Sequence, residues 1–135
     1  MILLVDDNPD DVFITKHAFE KNNMSNRIIV AEDGEAALRL LLPPEGETAL
    51  NPALVLLDLN MPKIGGIEVL SRLRADSRTE CLPVVILTTS ELDEDRLESY
   101  RTGANAFVRK PVEFNAFREA AEVLSLFWMV VNQRV

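Results

Sequence analysis

The sequence of 135 residues is poor in cysteine, in histidine and in long apolar runs. Its single cysteine, Cys81, has no partner for an internal disulfide, and with the single histidine, His17, it makes no zinc-ligand spacing. No apolar run approaches the ~20 residues that a membrane-spanning helix needs. Asp6 and Asp7 stand where a signal peptide would carry its basic and apolar regions. We therefore expect a cytoplasmic domain without disulfides.

Basic residues are also scarce, with 14 Lys and Arg against 22 Asp and Glu and a formal net charge of −8. Nucleic acids and anionic membranes are bound chiefly through Lys and Arg, so this charge excludes both as natural partners. Half of the surplus lies in residues 1–15, which hold four acids and no base. The other half lies in residues 91–98, with five acids against Arg96. A charge of this sign suits a bound cation.

Five short apolar runs alternate with stretches of helical periodicity, and 47% of the residues are hydrophobic. The runs are almost continuously apolar, which is typical of parallel strands covered by helices on both faces. A chain of this length is expected to form one domain, residues 1–135, of the doubly wound α/β class. The predicted strands are Ile2 to Val5, Arg27 to Val30, Leu54 to Leu57, Val84 to Leu87 and Ala106 to Val108.

Helix boundaries are marked by capping residues, proline and glycine. Asn8 before Pro9 predicts a capped start for the first helix, and Gly103 predicts the end of the fourth. The segment from Pro43 to Pro52 is predicted to be a long surface loop. The later helices are predicted from Asp33-Gly34 to Leu42, from Ile67 to Ala75, from about Glu94 to Thr102, and from about Glu113 to beyond Leu126.

Polar residues follow the predicted strands, and open parallel sheets bind ligands at these carboxyl ends. With the first strand central and the third beside it, Asp6, Asp7 and Asp58 would share one crevice. Three carboxylates repel one another unless a cation lies among them, and oxygen ligands suit Mg²⁺. Lys110 could add a further positive charge. The residues at the strand ends are Asp6-Asp7, Glu32-Asp33, Asp58, Thr88-Thr89 and Arg109-Lys110-Pro111.

Each of these residues has a plainer interpretation on its own. Asp6 and Asp7 could stabilise the start of the first helix, Thr88 could be an ordinary strand residue, and Lys110 could be solvated. Asp58 is the hardest to explain in this way. It ends the most apolar strand, where an uncompensated carboxylate is costly, and no helix begins directly after it.

Together the strand ends resemble those of the receiver domains of two-component response regulators, over essentially the whole chain. The segments LLVDDNPDD, VLLDLNMPKIGG and FVRKPV carry the resemblance, with Thr88 after the fourth strand and Phe107 within the fifth. The resemblance implies a flavodoxin-like sheet of order 2-1-3-4-5 with five helices, the last one long. It also implies a single receiver domain that has no output domain.

By this resemblance Asp58 is the phosphoacceptor, a carboxylate that attacks a phosphohistidine of a sensor histidine kinase. Mg²⁺ would be held by Asp6, Asp7, Asp58 and the backbone carbonyl of Asn60. Lys110 would stabilise the charge of the phosphoryl group. The protein would then be a self-catalysing phosphoacceptor rather than an enzyme.

The resemblance also implies a conformational switch. Thr88 would bond a phosphoryl oxygen and move toward it, and Phe107 would occupy the vacated space. Phe107 could equally be an ordinary core residue. Pro111 would be a cis proline that orients the lysine before it. Asn60 and Ser90 occupy positions that set the phosphoryl lifetime, and since neither is a strong general base we expect slow to moderate hydrolysis.

Three features resemble, more specifically, the stand-alone regulators that partner bacterial phytochromes: the NPDD start of the first helix, the loop from Pro43 to Pro52, and Phe127 with Trp128.

Apolar residues are in excess near the C-terminus. They could pack back on the domain, be disordered, or form a homodimer patch through Phe127 and Trp128. A downstream protein would bind the face of the fourth helix, fifth strand and fifth helix, where residues 91–98 form an acidic docking edge.

Two other classes of protein stay open. Phosphatases of the haloacid-dehalogenase type also place an Asp after a parallel strand beside Mg²⁺. They carry a second Asp two residues later as acid and base, and here that position is Asn60. An inactive receiver kept as a binding module is the other alternative, although every residue that carries the chemistry is present.

Overall fold

Five strands form a single sheet, and they are β1 (Ile2–Val5), β2 (Ile28–Ala31), β3 (Leu54–Asp58), β4 (Val84–Thr88) and β5 (Ala106–Arg109). Their order across the sheet is 2-1-3-4-5, and every neighbouring pair is parallel. The predicted flavodoxin-like order is therefore confirmed. The computed structural model describes residues 1–21, 27–89 and 92–110.

Four helices connect the strands within the described ranges, and they are α1 (Pro9–Lys21), α2 (Gly34–Leu41), α3 (Gly66–Ala75) and α4 (Asp93–Thr102). Gly103 ends α4 as predicted, with a left-handed backbone at φ 114° that favours glycine. The predicted fifth helix, from about Glu113 to beyond Leu126, lies outside the described residues. None of the helices in the described part of the chain is long and apolar enough to cross a membrane.

The sheet is buried on both faces. Ile2 and Leu4 of β1 pack with Phe19 of α1 on one face, while Leu3 and Val5 pack with α2 and α3 on the other. All five of these side chains are at most 1% exposed. Burial of each such side chain contributes about 1.5–3 kcal/mol. Because both faces are apolar, the carboxyl edge of the sheet is the place where polar side chains can gather.

The strand boundaries agree with the sequence prediction to within one residue. β2 begins at Ile28 rather than Arg27, which is exposed. β3 and β4 each extend one residue further than predicted, through Asp58 and Thr88. The parallel ladder continues there because backbone hydrogen bonding does not require an apolar side chain, and Asp58 pairs in register with Leu87. Asp58 and Thr88 are thus held by the rigid sheet rather than by loops.

Candidate functional site

Four polar side chains are buried together at the carboxyl edge of the sheet. Asp6 directly follows β1, Asp58 ends β3, Thr88 ends β4, and Lys110 directly follows β5. Their exposed fractions are 2%, 6%, 0% and 8%, respectively. Asp7, next to Asp6, is exposed. Polar groups are seldom buried to this degree without a partner or a function, so this edge is the candidate site.

Asp6, Asp7 and Asp58 form a compact group of carboxylates, here called the acidic triad. Each offers an oxygen atom that lies within 4.8 Å of those of the other two. One oxygen of Asp6 accepts a hydrogen bond of 3.0 Å from the backbone N–H of Asn8, and one of Asp58 accepts a bond of 3.4 Å from that of Asn60. Three oxygen donors at this spacing are the chemistry that Mg²⁺ or Mn²⁺ requires.

Lys110 lies among three carboxylates. Its Nζ atom is 2.7 Å from Oδ2 of Asp6, 3.1 Å from Oδ2 of Asp11 and 3.4 Å from Oδ2 of Asp58. The backbone supports this position, since the N–H of Lys110 donates a hydrogen bond of 2.8 Å to the carbonyl of Thr88. Asp11 was not among the predicted site residues. The sequence contains only one indication of such a role: Asp11 lies on the first turn of α1, in a segment that holds three other acids.

Burial and the neighbouring charges act against each other on the pKa values of Asp58 and Lys110. Burial raises the pKa of Asp58 from 3.8 to about 6, against the attraction of the Lys110 ammonium. Burial alone would lower the pKa of Lys110. The hydrogen bond to Asp6, the charge of Asp58 and the hydrogen bond to Asp11 outweigh it and raise that pKa. Lys110 therefore stays positively charged among the carboxylates of Asp6, Asp11 and Asp58.

The side chains of Asn60 and Thr88 meet beside the triad. The amide nitrogen of Asn60 donates a hydrogen bond of 3.4 Å to the Thr88 hydroxyl. Phe107 of β5 is half-buried, and the guanidinium carbon of Arg96, on α4, lies 5.7 Å from the centre of its ring. Phe107 thus packs against the core on one side and contacts Arg96 of α4 on the other. Pro111, Ser90, Phe127 and Trp128 lie outside the described residues.

The acids at the end of β2 do not join the triad. Asp33 instead caps α2, where its carboxylate accepts a hydrogen bond of 2.7 Å from the N–H of Ala36. Asn8 caps α1 as predicted, accepting from the N–H groups of Asp10 and Asp11 at 2.9 and 3.3 Å. A cleft of about 530 Å³ opens beside the triad. It is lined by Asp6, Asp7, Pro9, Val12, Val30, Glu32, Asp33, Pro62 and Lys63.

Known proteins of one family are similar to this chain. Residues 2–122 match the family model of the response regulator receiver domain. The chain therefore belongs to the response regulator receiver domain family, as the sequence predicted. This membership sets aside the phosphatase alternative.

Several relatives are short chains of similar length. The structure of the bacteriophytochrome response regulator AtBRR is 44% identical, with a TM-score of 0.81 and coverage of 98% of this chain and 96% of that one. The structure of a Mn(2+)-bound form of the response regulator Rcp1 is 32% identical, with a TM-score of 0.76 and coverage of 99% and 96%. A probable methanogenesis regulatory protein, FilR2 of Methanothrix harundinacea, is 38% identical over 133 residues, which cover 98% of this chain and 86% of the relative. Bacteriophytochrome response regulators are thus among its close structural neighbours.

Proposed function

We propose that this receiver domain accepts a phosphoryl group on Asp58 from the phosphohistidine of a sensor histidine kinase. The observation that carries the proposal is the burial of Asp58 at the end of a central strand, 3.4 Å from the Lys110 ammonium and within 4.8 Å of Asp6 and Asp7. A structural role does not explain why two buried carboxylates and a buried lysine share one edge. A phosphoryl group, with its spread negative charge, explains the cation and the nucleophile together.

In the proposed reaction an oxygen of Asp58 attacks the phosphorus atom. The new oxygen–phosphorus bond forms as the phosphorus–nitrogen bond to the kinase histidine breaks, and the leaving imidazole nitrogen takes a proton from solvent. Lys110 donates a hydrogen bond to a phosphoryl oxygen, and the Thr88 hydroxyl donates another. With a pKa of about 6, Asp58 is mostly ionised near neutral pH and so is ready to attack.

The cofactor of this proposal is Mg²⁺. The carboxylates of Asp6, Asp7 and Asp58 would hold it, together with the backbone carbonyl of Asn60. When bound, the ion supplies positive charge to the phosphoryl oxygens and to the triad. The spacing of the triad and the hardness of its oxygen donors support this assignment.

The signal would pass to the face formed by α4, β5 and the predicted fifth helix, here called the output face. Thr88 and Phe107 would be its switch residues, with Pro111 holding Lys110 in position. Apolar side chains on α4 support a protein-binding role, since Leu97 and Tyr100 are 52% and 46% exposed. Acidic residues dominate the same helix, so a downstream protein with a basic rim would fit it.

Intact mass spectrometry after incubation with Mg²⁺ and a small phosphodonor tests the acceptor. We expect one phosphoryl adduct on the wild type and on the control Asp93→Asn, an exposed acid on α4, and none on Asp58→Asn. An unmodified wild type would support the alternative of an inactive binding module. An adduct that persists in Asp58→Asn would place the acceptor elsewhere.

Two narrower proposals concern partners in the cytoplasm. A kinase of the bacterial phytochrome class is the proposed phosphodonor, supported by the similarity to AtBRR. It should phosphorylate this protein faster than an unrelated histidine kinase does.

The second narrower proposal is a homodimer through Phe127 and Trp128. Polar replacements at these two positions should lower the dimer fraction in sedimentation while phosphorylation stays intact. Unchanged sedimentation would contradict it.

A further inference from the structure

Asp11 is an additional partner of Lys110 that lies outside the acidic triad. It belongs to the first turn of α1, whereas Asp6 and Asp58 belong to the edge of the sheet. Its Oδ2 atom lies 3.1 Å from Nζ of Lys110, closer than the 3.4 Å that separates Nζ from Asp58. The ammonium is therefore held more tightly by Asp6 and Asp11 than by the proposed nucleophile.

The donors of Lys110 limit what it can bind at one time. A lysine ammonium has three N–H groups, and three carboxylates surround this one. A phosphoryl group on Asp58 would need at least one of those donors. Some existing contact must then weaken.

Burial indicates which contact gives way. The Asp6 side chain is 0% exposed and lies 2.7 Å from Nζ, so losing that contact would leave a buried charge without a partner. The Asp11 side chain is 29% exposed, so water can replace the lysine.

We propose that Asp11 is a positioning residue that draws the Lys110 ammonium away from Asp58 and so opposes the phosphorylated state. The proposal rests on the proposed function, because it assigns Lys110 to the phosphoryl group. Asp11 touches neither the nucleophile nor the phosphoryl group and acts through Lys110. Removing its carboxylate frees the ammonium for Asp58 and for the group bound there.

Asp10 provides a matched control. It is the neighbouring residue on the same turn of α1, carries the same charge at the same end of the helix, and is exposed. Within the described part of the chain, no ion pair of its carboxylate is found. Asp10→Ala therefore reproduces the loss of charge and the change in the helix start, but not the loss of the Lys110 contact.

The first experiment measures the affinity of the Mg²⁺-loaded protein for beryllofluoride, which mimics a phosphoryl group on a carboxylate, by ¹⁹F NMR. Asp11→Ala should bind it about three- to tenfold more tightly than the wild type, the size expected for one partly screened charge contact. Asp10→Ala should stay within about twofold of the wild type, since Asp10 is exposed and exposed charges contribute little. Equal or weaker binding by Asp11→Ala, or an equal gain in Asp10→Ala, would overturn the proposal.

The second experiment is a crystal structure of Asp11→Ala without a phosphoryl mimic. The distance from Nζ of Lys110 to Oδ2 of Asp58 should be shorter than 3.4 Å. A purely structural role for Asp11 would leave that distance unchanged, which would count against the proposal. This measurement also separates the two ideas: a wild type that binds no beryllofluoride refutes the proposed function, while the distance still decides whether Asp11 restrains Lys110.

Discussion

Gly66, the first residue of α3, packs directly against the backbone carbonyl of Asp58. A Cβ atom at position 66 would overlap that carbonyl oxygen and would lie 2.9 Å from Cα of Leu59. The start of α3 is thereby pressed against the residue that carries the proposed chemistry. The backbone of Asp58 is fixed on one side by β4 and on the other by this glycine.

Replacing Gly66 with alanine should destabilise the protein by about 1–3 kcal/mol, because backbone atoms have to move to make room. It should also slow phosphorylation of Asp58 through displacement of that residue. The control is Gly65→Ala, where the nearest atom is Leu59 O at 3.6 Å, an ordinary contact. Urea unfolding measures both variants, and equal effects at the two positions would contradict the prediction.

The raised pKa of Asp58 makes the stability of the metal-free protein depend on pH. Its pKa rises from 3.8 in the unfolded chain to about 6 in the fold. The protonated carboxyl is favoured by folding, so its stabilisation is complete below about pH 4 and is lost as the pH rises through about 6. Ionised Asp58 therefore costs stability at neutral pH, by about 1–3 kcal/mol.

Asp58→Asn should remove this cost. In EDTA the variant should be more stable than the wild type near neutral pH, and the difference should shrink as the pH falls toward about 4. Urea unfolding at a series of pH values is the measurement. Asp10→Asn, which removes an exposed carboxylate on the first turn of α1, is the matched control. If Asp58→Asn were less stable than the wild type at every pH tested, ionised Asp58 would not destabilise the metal-free fold, and the prediction would be wrong.

Asp7 should contribute to cation binding but not to the stability of the fold. Asp7 is exposed, so Asp7→Asn should leave the free energy of unfolding nearly unchanged while weakening Mg²⁺ or Mn²⁺ binding roughly tenfold through the loss of one anionic ligand. Calorimetric titration with Mg²⁺ measures the effect. Glu32→Gln is the control, because Glu32 lines the same cleft but lies outside the triad. An equal loss of Mg²⁺ affinity in the two variants would indicate general attraction by the negative charge of the cleft rather than a specific binding site.

The sequence predicted the sheet well because its signals are local. Continuous apolar runs gave β1 its exact bounds, and acids after two adjacent parallel strands had to meet at one edge. The contact of Asp11 with Lys110 could not be found in this way, since it joins residues 99 positions apart in the sequence and depends on how α1 packs on the sheet. Asp33 shows that an acid at a strand end need not belong to the site, since it caps α2, the helix predicted to begin at Asp33-Gly34.

The ring of Phe107 and the guanidinium of Arg96 should be energetically coupled in the unphosphorylated protein. Their separation of 5.7 Å from guanidinium carbon to ring centre is within the range of a cation–π contact, worth about 0.5–1 kcal/mol at an exposed site. A double-mutant cycle with Arg96→Gln and Phe107→Leu should show this coupling in urea unfolding, and the same cycle with Arg101→Gln should show none. If Phe107 turns inward as Thr88 moves, the coupling should vanish when beryllofluoride is bound. A coupling that persists in the bound form would mean that Phe107 is an ordinary core residue and not a switch.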